Sequence, residues 1–300
     1  MQDLAALQTF AIPSALSFRI GPGGLAYADL RGDGGSASLC LQGAHLTSFR
    51  PDDQDQPLIW LSEAARFAPG RSIRGGIPVC WPWFGAHRER ADFPAHGFAR
   101  SLPWDVVGSG SGGGTTWMRL RLRADAIPAA QWPHATPVEL RVEVGNELAL
   151  ELLTHNASTE PVELSEALHS YFHVGDIARV GLQGLDGCEY LDKTLDFASA
   201  RQQGALAFRA ETDRVYLDTR ASCRIDDPVL GRGIRIDKQG SLSTVVWTPW
   251  QQRAAAMGDF SATGWRQMLC VESANAAANR LLLAPGEKHR LAVRYAAVAL

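Results

Sequence analysis

The sequence predicts an all-β protein, a large antiparallel sandwich, on three observations. Apolar residues recur with a period of two along most of the chain, turn residues punctuate these runs at steady intervals, and long helical periodicity is missing. Spacing of that kind stacks sheets on one another instead of alternating strands with helices. No tandem repeat or change of composition divides the 300 residues. The expectation is therefore one domain over 1–300, long enough to bury a substantial core.

From Leu16 to Pro51 the pattern is short and strand-like. SASLCLQGAHLTSF sets Leu39, Leu41 and Leu46 among small or polar residues, with a bend at Gly43. After the polar PDDQDQP, LIWLSEAARF reads as a strand end followed by one helical turn. Residues 108–114, GSGSGGG, have the composition of a linker. DVV before them and WMRLRLR after them are strand-like, so the stretch reads as a flexible hairpin connection within one sheet. Met118, Leu120 and Leu122 alternate with Arg119, Arg121 and Arg123, a strand with one wet face. Val138, Leu140, Val142 and Val144 then lead through a two-residue Gly145-Asn146 turn to Leu148, Leu150 and Leu152. Strand signals continue through VELSEALHSYFHV, the turn region GLQGLDGCEYLDK, RVYLDT, GIRIDK, STVVWTPW and MLCVE, and end with LLLAP and HRLAVRYAAV around a PGE turn. QQRAAAMGDF is the best short helix candidate.

Lys plus Arg is 29 against 32 for Asp plus Glu, a net charge of -3. That balance excludes a general affinity for nucleic acid or anionic membrane, so any anion must be held by local arginines. The N-terminus lacks a basic region and a long apolar region, and no stretch approaches the length of a membrane span. Five scattered cysteines without a CxxC pair suit buried, reduced thiols. The expectation is a soluble cytoplasmic protein.

Chemistry concentrates between Arg74 and Trp104, RGGIPVCWPWFGAHRERADFPAHGFARSLPW. Arginine forks match carboxylate or phosphate, and aromatic faces cover the apolar side of a ligand. Gly and Pro forbid one long element, so the stretch wanders as loops and reads as a binding site. Arg74, His96 and Arg100 are the candidate ligand contacts. His87, Arg88 and Arg90 belong to a charged loop tip. Of the large aromatic inventory, most rings are expected in the core and at least one at the pocket wall.

Farther on, His169 is a candidate general acid or base, sharing one strand face with Tyr171 and His173. A metal site built from Glu166, His169 and His173 is disfavoured, because a strand spreads the two imidazoles about 13 Å apart. Glu272, at the end of MLCVE, is either a solvated carboxylate at a strand mouth or a base tuned by partial burial. Asp213 begins a strand, where it either faces water or bonds to hydroxyls.

GAHLTSF, RGGIPVCWPWFG, PAHGFAR, LHSYFHV, ETDRVY, VVWTPW and CVESAN together resemble the hexose-6-phosphate mutarotases, a branch of the aldose 1-epimerase-like superfamily, in the same order along the chain. The resemblance implies a galactose-mutarotase-like β-sandwich that interconverts the α and β anomers of glucose 6-phosphate and related hexose 6-phosphates. It implies His169 and Glu272 as the catalytic pair, Glu272 as base and protonated His169 as acid. Arg74, His96, Arg100 and Asp213 are the implied substrate contacts. It implies a small-molecule partner only, with no metal, no cofactor and a monomeric chain. Some members carry Gln where this chain has Ala95, which leaves sugar specificity open. The alternatives are a mutarotase for unphosphorylated sugars, a glycoside hydrolase, which needs two carboxylates roughly 5–10 Å apart, and a noncatalytic carbohydrate sensor on the same fold.

Overall fold

The computed structural model describes residues 4–300. A four-stranded antiparallel sheet comes first. Its strands Leu16–Ile20, Ala26–Gly32, Gly35–Cys40 and His45–Pro51 pair in chain order. The Thr116 hydroxyl donates to Arg31 O and the Asp33 N–H to Gly114 O, which fastens this sheet to the hairpin Trp104–Gly112/Thr115–Leu122.

Two larger sheets, of nine and eight strands, carry the rest apart from a two-stranded pairing of Val162–Leu164 with Leu281–Leu283. The alternation read from the sequence holds in the strands of the nine-stranded sheet where it is clearest. Met118 and Leu120 are fully buried while Arg119 and Arg121 are exposed, and Val138 to Val144 and Leu148 to Leu152 bury every second side chain. The glycine-rich stretch is strand as far as Gly112, so only Gly113 and Gly114 make the turn. The hairpin after Val144 differs from expectation by one residue. Val144 pairs with Leu148, so the connection is Gly145-Asn146-Glu147, closed by the Gly145 N–H donating to Glu147 O at 3.0 Å.

At the centre of the eight-stranded sheet lies Met268–Asn275, between Ser243–Thr248 on one side and Glu166–Leu168 with Tyr171–His173 on the other. All eight of its residues are buried. Leu269 and Val271 face the core between the two large sheets, where Phe172 meets Tyr295 edge-on at 5.0 Å. Cys270 and Ala274 face the other way, into two smaller clusters partly covered by Trp60, Phe84 and Phe260. A strand covered on both faces is apolar throughout, so a charged residue within it is exceptional. Glu272 is that residue. It sits in mid-strand with its side chain 1% exposed, not at a solvated strand mouth.

Helix is confined to short pieces. Trp250–Ala255 overlaps the first half of the best helix candidate, QQRAAAMGDF, whereas Leu4–Leu7 was not foreseen. LIWLSEAARF forms no helix; its Ile59 and Leu61 make isolated bridges to Phe172 and Gly75. All five cysteines are free thiols, and all but Cys188 are buried. Among the described residues no helix is long and apolar enough to cross a membrane.

Two glycines decide how the arginine-bearing loops sit. Gly76 has φ +69°, and a Cβ there would lie 2.3 Å from Leu46 O and 2.4 Å from His45 Nε2. Gly97 also has φ +69°, with a Cβ 2.1 Å from Trp81 O. Only glycine permits both the left-handed backbone and the close approach. Gly76→Ala should therefore cost at least the roughly 1–3 kcal/mol of a strained backbone, read as a lowered urea midpoint at unchanged slope. An unchanged midpoint would refute this account of the RGG motif.

Candidate active site

Strand register brings the candidate residues together. Leu168 pairs with Ser273 and Tyr171 with Cys270, the same register on both sides of the break between the two short strands. His169 therefore stands opposite Glu272. Counting outward, Cys270 pairs with Trp247 and Trp247 with Asp213, while Glu272 pairs with Val245 and Val245 with Val215. Because alternate residues share a face, Asp213, Trp247, Cys270 and Tyr171 form one cross-strand row, and Val215, Val245, Glu272 and His169 form the next.

His169 Nε2 lies 3.4 Å from Glu272 Oε1, with the imidazole side chain 9% exposed. The imidazole stacks on Tyr171 with ring centres 4.8 Å apart and planes 10° from parallel, as the shared strand face predicts. Trp247 and His96 meet it edge-on at 6.2 and 5.5 Å. His173 lies four residues beyond His169, where its charged neighbours are Arg232 and Asp227. Glu166 serves the opposite face, accepting from Asn275 Nδ2 at 3.2 Å. A metal site of Glu166, His169 and His173 is thereby excluded by geometry. A different set converges instead, with ligand atoms of His169, Cys270 and Glu272 within 4.8 Å of one another.

Burial governs the electrostatics of the pair. It holds the Glu272 carboxyl well above the usual carboxylate range, opposed by Lys193 and Arg100 and reinforced by Asp213. It holds the His169 imidazole well below 6.5, helped by His96, Arg100 and Arg74. Both shifts favour the uncharged side chains. That direction runs against a carboxylate base facing a protonated imidazole. His96 is pushed down to about 3 by burial and the cations Arg100, Lys193 and Arg74. It is a neutral ring, its Nδ1 accepting from the Gly85 N–H at 3.3 Å and packed 3.5 Å from Cys80 Sγ.

Arg74 donates from Nη1 to the Tyr171 hydroxyl at 2.9 Å and from Nε to Asp259 Oδ2 at 3.1 Å. Its guanidinium also lies 5.4 Å from the Phe260 ring centre. Arg100, on the 3-10 turn Ala99–Ser101, donates to Ala95 O at 2.7 Å. Neither bridges Asp92 or Asp105, which pair with Arg90 and Arg123. Both line a cavity of about 530 Å³ together with Arg66, Arg71, Met257 and Asp259. Four guanidiniums against one carboxylate make it an anion-seeking space. Arg88 and Arg90 do not line it; they pair with Glu163 and Asp92 at the surface.

Asp213 is not a solvated strand end, because Lys193 Nζ holds its Oδ1 at 2.9 Å. Sequence reasoning missed Lys193, which the pairing of Tyr190 with Tyr216 and Leu191 with Val215 carries to a position opposite Asp213. The YLDK segment hints at this only once register is known. Asp259, 185 residues from the Arg74 it pairs with, left no sequence signal. Arg66 and Arg71 were overlooked because they precede the aromatic stretch. Phe84 is half-buried and edge-on to His96 at 4.9 Å, and among the described residues no aromatic ring lines the arginine-rich cavity itself.

Fold and site together define a β-sandwich with a buried histidine–glutamate pair on the covered face of one sheet, beside a cationic cavity. A family profile for aldose 1-epimerase matches residues 28–296. The chain belongs to that family. It is 37% identical over 243 residues to a protein of Salmonella typhimurium provisionally named glucose-6-phosphate 1-epimerase, covering 81% of this chain and 80% of that one. A relative from Cenchrus ciliaris with the same provisional name is 35% identical over 288 residues, covering 92% and 86%. Among solved structures, a provisionally described mutarotase, YeaD of Salmonella typhimurium, superposes with a TM-score of 0.89 at 33% identity, covering 97% and 96% of the two chains. A galactose mutarotase-like protein of Lactobacillus casei, at 13% identity and TM-score 0.70, shares the fold and covers 90% and 99%.

Proposed function

We propose that this chain is a hexose-6-phosphate 1-epimerase that interconverts the α and β anomers of glucose 6-phosphate and related sugars. The observation that carries the reading is the buried His169–Glu272 contact at 3.4 Å beside a cavity lined by Arg74 and Arg100. Mutarotation removes a proton from the anomeric hydroxyl and delivers one to the ring oxygen as the C1–O5 bond opens. The open-chain carbonyl then turns about C1–C2, and closure returns both protons with the roles reversed. One proton held between two side chains is sufficient for each half of this cycle. The uncharged pair would start with Glu272 as donor and His169 as acceptor. The charged pair, reached when a bound sugar replaces the missing solvation, would act the other way round. The phosphate is assigned to the arginine-lined cavity, with Asp213, Lys193 and His96 bordering the sugar. An anomer-specific dehydrogenase coupled to glucose 6-phosphate anomerisation tests this directly. A folded protein that does not exceed the spontaneous rate would leave the sensor reading in its place.

Two further outcomes follow from the same geometry. The active pair carries one proton, so activity falls at low pH only when His169 takes up a second. Because its imidazole is held well below 6.5, kcat/KM should persist as pH falls through 6.5 and decline only below it. The alkaline limb begins where the pair loses its last proton, above the usual carboxylate range because Glu272 is raised. These limbs are properties of the pair and not of either residue. An acid limb at or above 6.5 in a pH–rate profile would contradict the assignment. Metal independence is also expected, since neither proton transfer calls for a Lewis acid. Exhaustive EDTA treatment should leave the rate undiminished, and a loss restored by magnesium or zinc would refute it.

A further inference from the structure

The acid–base pair has a third neighbour that the mutarotation chemistry leaves idle. Cys270 precedes Glu272 by two residues on a fully buried strand, so thiol and carboxylate point to the same side, and His169 stands opposite them. Imidazole nitrogen, thiol sulfur and carboxylate oxygen are the donors that zinc prefers. Two other buried atoms at the same spot, His169 Nδ1 and Glu272 Oε2, have no hydrogen-bond partner. A second carboxylate oxygen is thus available to the same ion.

We propose that His169, Cys270 and Glu272 form a capture site for zinc or a similarly soft divalent cation, and that its occupation silences the enzyme. The inhibitory half rests on the function proposed above; the binding half does not. Zinc bonds of about 2.0–2.3 Å place tetrahedral ligand atoms roughly 3.3–3.7 Å apart. His169 Nε2 and Glu272 Oε1, at 3.4 Å, already satisfy one edge. The remaining edges, at most 4.8 Å, close by side-chain rotation of about an ångström. Thiolate and carboxylate together neutralise a divalent ion, so its charge can be accommodated in a buried setting despite Lys193, Arg74 and Arg100 nearby. Magnesium, which demands six oxygen ligands, has no such set here. The cation reaches the pair by the route the sugar must use, and an ion held by both groups leaves neither free to exchange a proton. Zinc and sugar phosphate therefore compete.

The test uses the full chain, stripped of metal and kept reduced with a non-chelating phosphine. Zinc is titrated by calorimetry and cobalt(II) by absorption, with magnesium as control. The expected result is one ion per chain, a thiolate-to-cobalt charge-transfer band, and no magnesium uptake. Cys270→Ser should abolish the band and, like His169→Gln, weaken zinc binding by more than the roughly 10–100-fold that outer-shell partners contribute. In parallel, saturating zinc should lower the anomerisation rate at least about ten-fold, reversibly with chelator, at an apparent inhibition constant that rises with glucose 6-phosphate. Absence of zinc uptake, or uptake indifferent to both substitutions, overturns the site. Tight zinc binding with an unchanged rate overturns the inhibition. A metal-free protein with no anomerase activity defeats the functional reading instead, while the cobalt band still decides the site.

Discussion

Glu272→Gln and His169→Ala should each lower kcat/KM for glucose 6-phosphate anomerisation by about 10²–10⁴-fold, the usual worth of a positioned acid or base. The two substitutions differ in what they do to the fold. Glutamine keeps the size of Glu272 and removes an ionisable group from a site with 1% side-chain exposure, so the variant should be at least as stable as the parent. Functional sites store such costs, and relieving one commonly stabilises. Removing the His169 ring leaves a gap against Tyr171, which it now covers at 4.8 Å, and should lower the melting temperature. Activity loss accompanied by opposite stability changes would identify the pair as catalytic and not architectural. Near-native turnover in a folded Glu272→Gln protein would end the assignment.

Arg100→Ala should collapse the preference for a phosphorylated over a free hexose. A phosphate monoester carries about -1.5 to -2 charges at neutral pH, and a chain of net charge -3 supplies no bulk attraction. Losing one partner of a desolvated charge pair costs about 2–5 kcal/mol, roughly thirty-fold or more in kcat/KM. Arg100 is the cleaner probe because its guanidinium donates to a backbone carbonyl, Ala95 O at 2.7 Å. Arg74→Ala would also strand Asp259 and the Tyr171 hydroxyl, so its effect mixes substrate binding with loop order. The measurement is the ratio of kcat/KM for glucose 6-phosphate and glucose, before and after each substitution. A parent protein with no preference defeats the phosphate assignment. A preference that survives loss of both arginines moves the anion to Arg66 and Arg71 in the same cavity.

Much of this was legible in the chain because it is local. Alternation from Met118 to Leu152 reports a wet face and a buried face, and the strands lie where it says. The Gly145 connection was misjudged by one residue because a three-residue and a two-residue hairpin share the same glycine–asparagine signal, and only the pairing of Val144 with Leu148 separates them. The motifs around Arg74, His96, Arg100, His169, Asp213 and Glu272 carried a family resemblance that the family profile bears out. Their spacing in sequence said nothing about distance in space.

What the sequence determined by itself was the class of fold, the one face of each strand that must be buried, and the identities of the polar residues that break an apolar pattern. Those follow from periodicity and residue chemistry, which need no partner to be read. Tertiary structure alone decided that His169 faces Glu272 across an interrupted strand, that Lys193 holds Asp213, and that Asp259 claims Arg74. It also decided the direction in which the proton affinities of the central pair shift. Pairing register brings together residues far apart in sequence with no local signal, and burial, which raises the proton affinity of Glu272 and lowers that of His169, exists only once the sheets have closed around them.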